Sequence, residues 1–181
     1  MVGWALDRLA ARDGRRVVEL CAGSGAITAA LTGEIGGIEA HAVEVDPSAF
    51  TYLQRNLHGR AVDLRHGDMA DAFHDLDGTV DLVIVNPPYV PEGLRPFLPS
   101  DVVDHDPELA LFSGADGLDA IRVVADVAMR LLAPAACSPP STTTRTATPF
   151  SRCSVRPASP MSPGIRISRV GPIRHRLQAL G

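Results

Sequence analysis

The stretch "RVVELCAGSGAITAAL", residues 16–31, changes character twice. Arg16 to Leu20 is a run of strand formers, Gly23-Ser24-Gly25 is a tight turn, and Ala26 to Leu31 is alanine-rich and helical. A glycine turn between a strand and its helix lets backbone come close to a ligand, beside the free N–H groups of the helix start. A tight βα turn without any ligand has the same appearance. A dinucleotide fingerprint does not fit, because Cys21 stands where the first glycine of G-x-G-x-x-G is wanted and the second half is missing. A ligand lacking a pyrophosphate is therefore expected.

The alternation continues on both sides. Ile38 to Val45 reads as a second strand, Ser48 to Leu57 as a helix, Ala61 to Leu64 as a third strand before His66-Gly67-Asp68, and Val80 to Val85 as a fourth. Upstream, residues 3–11 place Trp4, Leu6, Leu9 and Ala10 at helical spacing, with Asp13-Gly14 as a stop. Downstream, Asp116 to Leu132 predicts an amphipathic helix with Leu118, Ile121, Val124, Val127, Ala128 and Leu131 on one face. Strands alternating with helices imply parallel βαβ units, hence an α/β fold with a Rossmann-like, doubly wound, mostly parallel sheet.

Of the 181 residues, 45% are hydrophobic and only eight are Phe, Tyr or Trp, so one domain with an aliphatic core is expected. No apolar run reaches the length of a membrane span and the N-terminus lacks a signal-peptide layout, which points to a cytoplasmic protein. Cys21, Cys137 and Cys153 have no paired spacing and the six histidines are scattered, so no metal is expected. All 21 acidic residues and ten of the 17 arginines fall in residues 1–134, a net −11, which argues against a nucleic-acid partner.

The C-terminal ends of parallel strands share one side of the sheet, where ligands bind in this architecture. Asp46, 21 residues after Gly25, is spaced to hold ribose hydroxyls and equally suited to cap the helix that Pro47 begins. Asp68 is either a turn residue or a polar contact to a base. The fourth strand runs into "NPPYV", residues 86–90. Two successive prolines make a stiff corner without N–H donors, and Asn86 adds a side-chain acceptor. Such a corner suits a flat group bearing an NH₂, with Tyr89 stacked against its plane. A proline-terminated edge strand is the competing reading, and the central character of Leu82 to Val85 weighs against it.

With "ELCAGSGAI", "AVEVDPSA", "GDM" and "NPPYV" in this order, the chain resembles class I S-adenosylmethionine-dependent methyltransferases. Within these it is similar to the HemK/PrmC family, the glutamine methyltransferases of peptide-chain release factors, and residues 101–134 resemble that family's next segment. The likeness covers about residues 15–134, the expected methyltransferase core, with residues 1–14 as a short helical lead-in. It implies that Cys21, Ala22, Gly23, Ser24 and Gly25 lie against the methionine part of S-adenosylmethionine, with Glu19 near its amino end. Asp46 would hold the ribose, and Asp68 and Met69 would border the adenine. Asn86 and the Pro87 carbonyl would accept the two hydrogens of a glutamine amide, with Pro88 and Tyr89 beside it. The implied partner is a release factor presenting a Gly-Gly-Gln loop. An adenine-N6 methyltransferase and an inactive remnant are the rival readings.

Residues 135–181 break the pattern, with no acid, seven arginines and 19 Pro, Ser or Thr among 47 residues. Disorder is the expectation from composition. A frameshift is the expectation from coding: the next reading frame allows Ala135 to Thr144 to become Gly-Gly-Leu-Phe-Ala-Ala-Glu-His-Asp-Asp, a strand of the kind that family carries there. On that reading the sheet is incomplete and the fourth strand has an unpaired apolar edge.

Overall fold

Val17 and Val18 are adjacent in strand β1 (Arg16–Leu20) and point to opposite faces, so each face of the sheet needs its own cover. In the computed structural model of the chain, residues 1–10, 15–99, 102 and 107–134 are described, with the backbone of 153–157 and 165–169. On one face Val17, Leu82 and Ile84 pack with Ala5 and Leu9 of helix α1 (Val2–Ala10) and Leu31 of helix α2 (Ala26–Glu34). On the other, Val18, Leu20, Val43, Val83 and Val85 meet Phe73, Leu76 and the buried stripe of a C-terminal helix. Burying each such aliphatic side chain contributes roughly 1.5–3 kcal/mol, which is why the strands read as near-continuous apolar runs.

Strand β2 (Glu39–Glu44), helix α3 (Pro47–Asn56), strand β3 (Val62–His66) and strand β4 (Leu82–Val85) complete the parallel part, in the order β3-β2-β1-β4. The expected α/β sheet is present and its first strand has the expected bounds. After β4 come a 3₁₀ helix (Glu92–Phe97), a short helix α4 (Glu108–Leu111) and helix α5 (Asp119–Leu131). Helix α5 starts three residues later than its periodicity suggested. Gly117 has φ +76°, which ends the preceding turn, and Leu118 is 43% exposed instead of joining the buried face. Val124, Val127, Ala128 and Leu131 form that face.

At the C-terminus the backbone of strands β5 (Cys153–Pro157) and β6 (Ile165–Arg169) forms an antiparallel pair. β6 also pairs antiparallel with β4 through Val83–Val85, so that edge is not unpaired. Before this, Leu132 forms an isolated parallel bridge with Val80. The Asp13-Gly14 stop and the remainder of the tail beyond Pro134 lie outside the described residues.

Candidate active site

Register brings the motifs together. Leu20 is paired with Val85 across β1 and β4, so Cys21 and Asn86 leave the sheet side by side at one rim. Parallel neighbours are about 4.8 Å apart, which sets the scale of the gap between glycine turn and proline corner. Glu44 ends β2 opposite His66, and Ala22 N–H donates to Val43 O at 3.0 Å, so the ends of β2 and β3 join the same rim.

The turn is held from below and from the side. Gly25 has φ +80°, and a Cβ there would overlap Leu53 Cδ1 and lie 3.2 Å from Leu57 Cδ1, so only glycine lets α3 pack this close. Gly23 has φ +57° and a Cβ there would meet nothing within 4 Å, so this glycine faces open space. Asn56 of α3 donates to Ser24 O at 2.9 Å. Cys21, at φ +52°, donates its thiol to Met69 Sδ at 3.5 Å, joining the first and third strand loops. Burial pushes that thiol up to about 12, with Glu44, Asp68 and Glu19 adding to the shift, so it stays a neutral apolar wall.

The acids divide their work. Glu19 is 1% exposed, and its Oε2 accepts from Thr28 N–H at 2.8 Å and from the Thr28 hydroxyl. It therefore ties the end of β1 to the first turn of α2. Burial pushes its carboxyl up to about 7 against the pull of the two Thr28 bonds. Asp46 Oδ1 accepts from Ala49 N–H at 2.7 Å, the helix cap that its position before Pro47 allowed. Asp68 Oδ1 takes Ala70 N–H at 2.9 Å within its own turn.

Sequence reasoning missed Glu44. It is 8% exposed, with Oε2 accepting from Gly23 N–H at 2.7 Å and Oε1 from Val45 and Asp46 N–H at 3.0 and 2.9 Å. Its carboxylate reaches the glycine turn directly, whereas Asp46 is turned into its helix. The available signal was its place as the last residue of β2, at the ligand rim.

At the proline corner Asn86 is exposed, Pro87 buried, Pro88 half-buried and Tyr89 exposed. Among the described residues, five of the eight exposed large apolar side chains belong to residues 89–118: Tyr89, Leu94, Phe97, Leu109 and Leu118. Of these, Tyr89 belongs to the corner itself. No group of three metal-ligating side chains is present among the described residues, and no helix among them is long and apolar enough to cross a membrane.

The chain is similar to known proteins. A release factor glutamine methyltransferase of Streptomyces coelicolor is 51% identical over 136 residues, which are 74% of this chain and 48% of that protein. A 4-amino-L-phenylalanine/4-methylamino-L-phenylalanine methyltransferase of Streptomyces pristinaespiralis is 44% identical over 118 residues, 65% of this chain and 40% of that protein. The chain thus spans about half the length, or less, of these relatives. Among solved structures, the hMettl16 catalytic domain in complex with MAT2A 3′UTR hairpin 6 superposes with a TM-score of 0.60 at 14% identity, covering 93% of this chain and 68% of that one. That is a likeness of fold alone. The profile of the methyltransferase small domain matches residues 5–96, which contain the glycine turn, the rim acids and the proline corner, and the chain belongs to that family.

Proposed function

We propose that the chain transfers a methyl group from S-adenosylmethionine to the side-chain amide nitrogen of a glutamine, presented by the Gly-Gly-Gln loop of a peptide-chain release factor. The pairing of Leu20 with Val85 carries this reading, because it sets an acceptor-rich corner beside a ligand-binding turn. The 51% identity to a release factor glutamine methyltransferase supports the choice of substrate.

The rim residues fit S-adenosylmethionine. Gly23 leaves open space above the turn, Cys21 and Met69 give an apolar wall, and Glu44 and Asp46 supply carboxylates for hydroxyls. Glu44, the acid bonded to the turn, shares the ribose contact with Asp46, while Glu19 positions α2. When bound, the cofactor supplies a methyl group on a positively charged sulfur, open to in-line displacement.

The chain's own part is orientation. An amide nitrogen is a weak nucleophile, since its lone pair is delocalised into the carbonyl. Asn86 Oδ1 and the Pro87 carbonyl accept its two hydrogens, aim it at the methyl group and stabilise the positive charge that develops on it. The prolines keep those acceptors free, because neither contributes an N–H that would compete for them. The nitrogen that gains a methyl loses one proton. Neither acceptor is basic enough to keep it, so it passes to water at the exposed side of Asn86.

The similarity to the aminophenylalanine methyltransferase favours a second reading, an aromatic amine stacked on Tyr89. The higher identity to the release factor glutamine methyltransferase, 51% against 44%, supports the protein acceptor. The −11 charge of residues 1–134 weighs against nucleic acid. Labelled-methyl transfer to a release factor, with 4-amino-L-phenylalanine and DNA as competing acceptors, tests the choice. Asn86→Ala is expected to lower transfer about 10²–10³-fold with cofactor affinity retained. Undiminished transfer by that variant, or labelling of the small amine alone, refutes the proposal.

A further inference from the structure

The geometry points to a positioning clamp: residues 111–117, with Ser113 and Gly117 at its centre, fix the Asn86–Tyr89 corner relative to the sheet. The claim deepens the reading above and rests on it for the role of Asn86, yet its geometric content stands apart from any assay of turnover.

The corner has no regular structure of its own, and two prolines leave it few backbone donors. What holds it comes from the returning chain. Val90 N–H donates to Leu111 O at 2.8 Å, Ser113 N–H donates to Val90 O at 3.0 Å, and Glu92 N–H donates to Gly114 O at 3.0 Å. These bonds form a short parallel ladder directly after Tyr89, centred on the Val90–Phe112 bridge.

Ser113 connects that ladder to α5. It is 5% exposed, its Oγ accepts from Ala120 N–H at 2.7 Å, and its carbonyl accepts from Asp119 N–H at 3.3 Å. It thereby satisfies two of the free donors at the helix start. Helix α5 is in turn packed through Val124, Val127, Ala128 and Leu131 in the same core cluster as Val83 and Val85 of β4. The strand that delivers Asn86 and the helix that anchors Ser113 are therefore packed in one core cluster.

Gly117 closes the clamp. It is buried at φ +76°, and a Cβ there would overlap the Tyr89 carbonyl oxygen and come within 3.0 Å of Pro91 Cδ and 3.1 Å of Pro91 N. These neighbours are backbone atoms and a proline ring atom at the end of the corner, so no flexible side chain can yield. Any larger residue must move Tyr89, and with it the Asn86 and Pro87 acceptors. Ser113 and Gly117 touch no substrate atom and act through the corner.

The test compares Gly117→Ala, Ser113→Ala and Ser113→Thr in the whole chain, with Gly36→Ala as control because a Cβ there meets nothing within 4 Å. Amide exchange at Val90, Glu92 and Ser113 is read first, followed by S-adenosylmethionine affinity and the kcat and KM of transfer to a release factor. Gly117→Ala is expected to speed exchange at these amides about tenfold, as local opening becomes easier. Its kcat falls about 10²-fold, the effect of an ångström-scale misplacement, with cofactor affinity within about twofold. Ser113→Ala shows the same signature more weakly, Ser113→Thr returns to the parental behaviour, and Gly36→Ala matches the parent. Should Gly117→Ala fail to fold, the serine pair carries the test.

Unchanged exchange in both Gly117→Ala and Ser113→Ala overturns the clamp, as does parental kcat in a Gly117→Ala chain whose parent is active. A parent that transfers no methyl group refutes the proposed function instead, and the exchange rates then decide the clamp.

Discussion

Replacing Glu19 by Gln removes a charge from a site where water has no access. Glu19 is 1% exposed, and burial pushes its carboxyl from 4.5 to about 7, with the charge of Glu44 adding to the shift and the two Thr28 bonds opposing it. A raised value means the folded chain binds this proton more tightly than the unfolded chain does. The group's contribution to stability is therefore complete below about pH 4.5 and is lost as the pH rises through about 7. Across that window the loss is ~3 kcal/mol, on the order of 1.4 kcal/mol for each pH unit. Glutamine keeps an acceptor for both Thr28 donors and has no proton to lose. Burying its NH₂ adds a cost of about 1–3 kcal/mol, which is the same at every pH. The decisive quantity is thus a difference of differences, measured by urea unfolding of both proteins at pH 5 and pH 8 at one ionic strength. The variant should gain ~2.5 kcal/mol on the parent between the two pH values, since all other titrations are common to both. A gap between parent and variant that is the same at both pH values would refute the assignment.

Gly25→Ala is expected to destabilise the chain by ~2–4 kcal/mol through left-handed strain and overlap with Leu53, whereas Gly23→Ala meets no neighbour and should cost about 1 kcal/mol, both read from unfolding midpoints. Glu44→Gln should weaken S-adenosylmethionine binding about tenfold or more in calorimetry, and Asp46→Asn, which keeps an excellent helix cap, less than about threefold; the reverse order would make Asp46 the main ribose contact. We propose that residues from about 135 onward are translated out of frame. A chain continued in the next frame from codon 135 should then unfold at a higher urea concentration than the 181-residue chain, and a gene sequence that runs uninterrupted in the present frame removes the idea.

The parallel sheet was legible because strand-like segments alternate with helical ones and end at turn signals, and β1 matched to the residue. Helix α3 was legible from Asp46-Pro47, whose capping bond the structure contains. Helix α5 was misjudged at its start, because Leu118 continues the apolar spacing while Gly117 has already broken the backbone path. The 3₁₀ helix at 92–97 and α4 carry too few residues to show any period. Glu44 escaped notice since β2 is buried on both faces, so alternation could not separate a rim acid from the strand interior. The alternation Ile165-Arg166-Ile167-Ser168 is compatible with the strand found at those residues.

One border of the sheet admits neighbours of opposite polarity. Val80 receives Leu132 as a parallel partner, with Val80 N–H donating to Leu131 O at 3.0 Å and Ala133 N–H donating to Val80 O at 2.9 Å. Three residues further along, Val83 to Val85 receive β6 running the other way. A segment continuing from Leu132 in the same register would bring residue 135 level with Val83, which β6 already covers. Growth of one neighbour thus requires eviction of the other, and the border behaves as a contested berth that whichever segment forms more ladder bonds will hold.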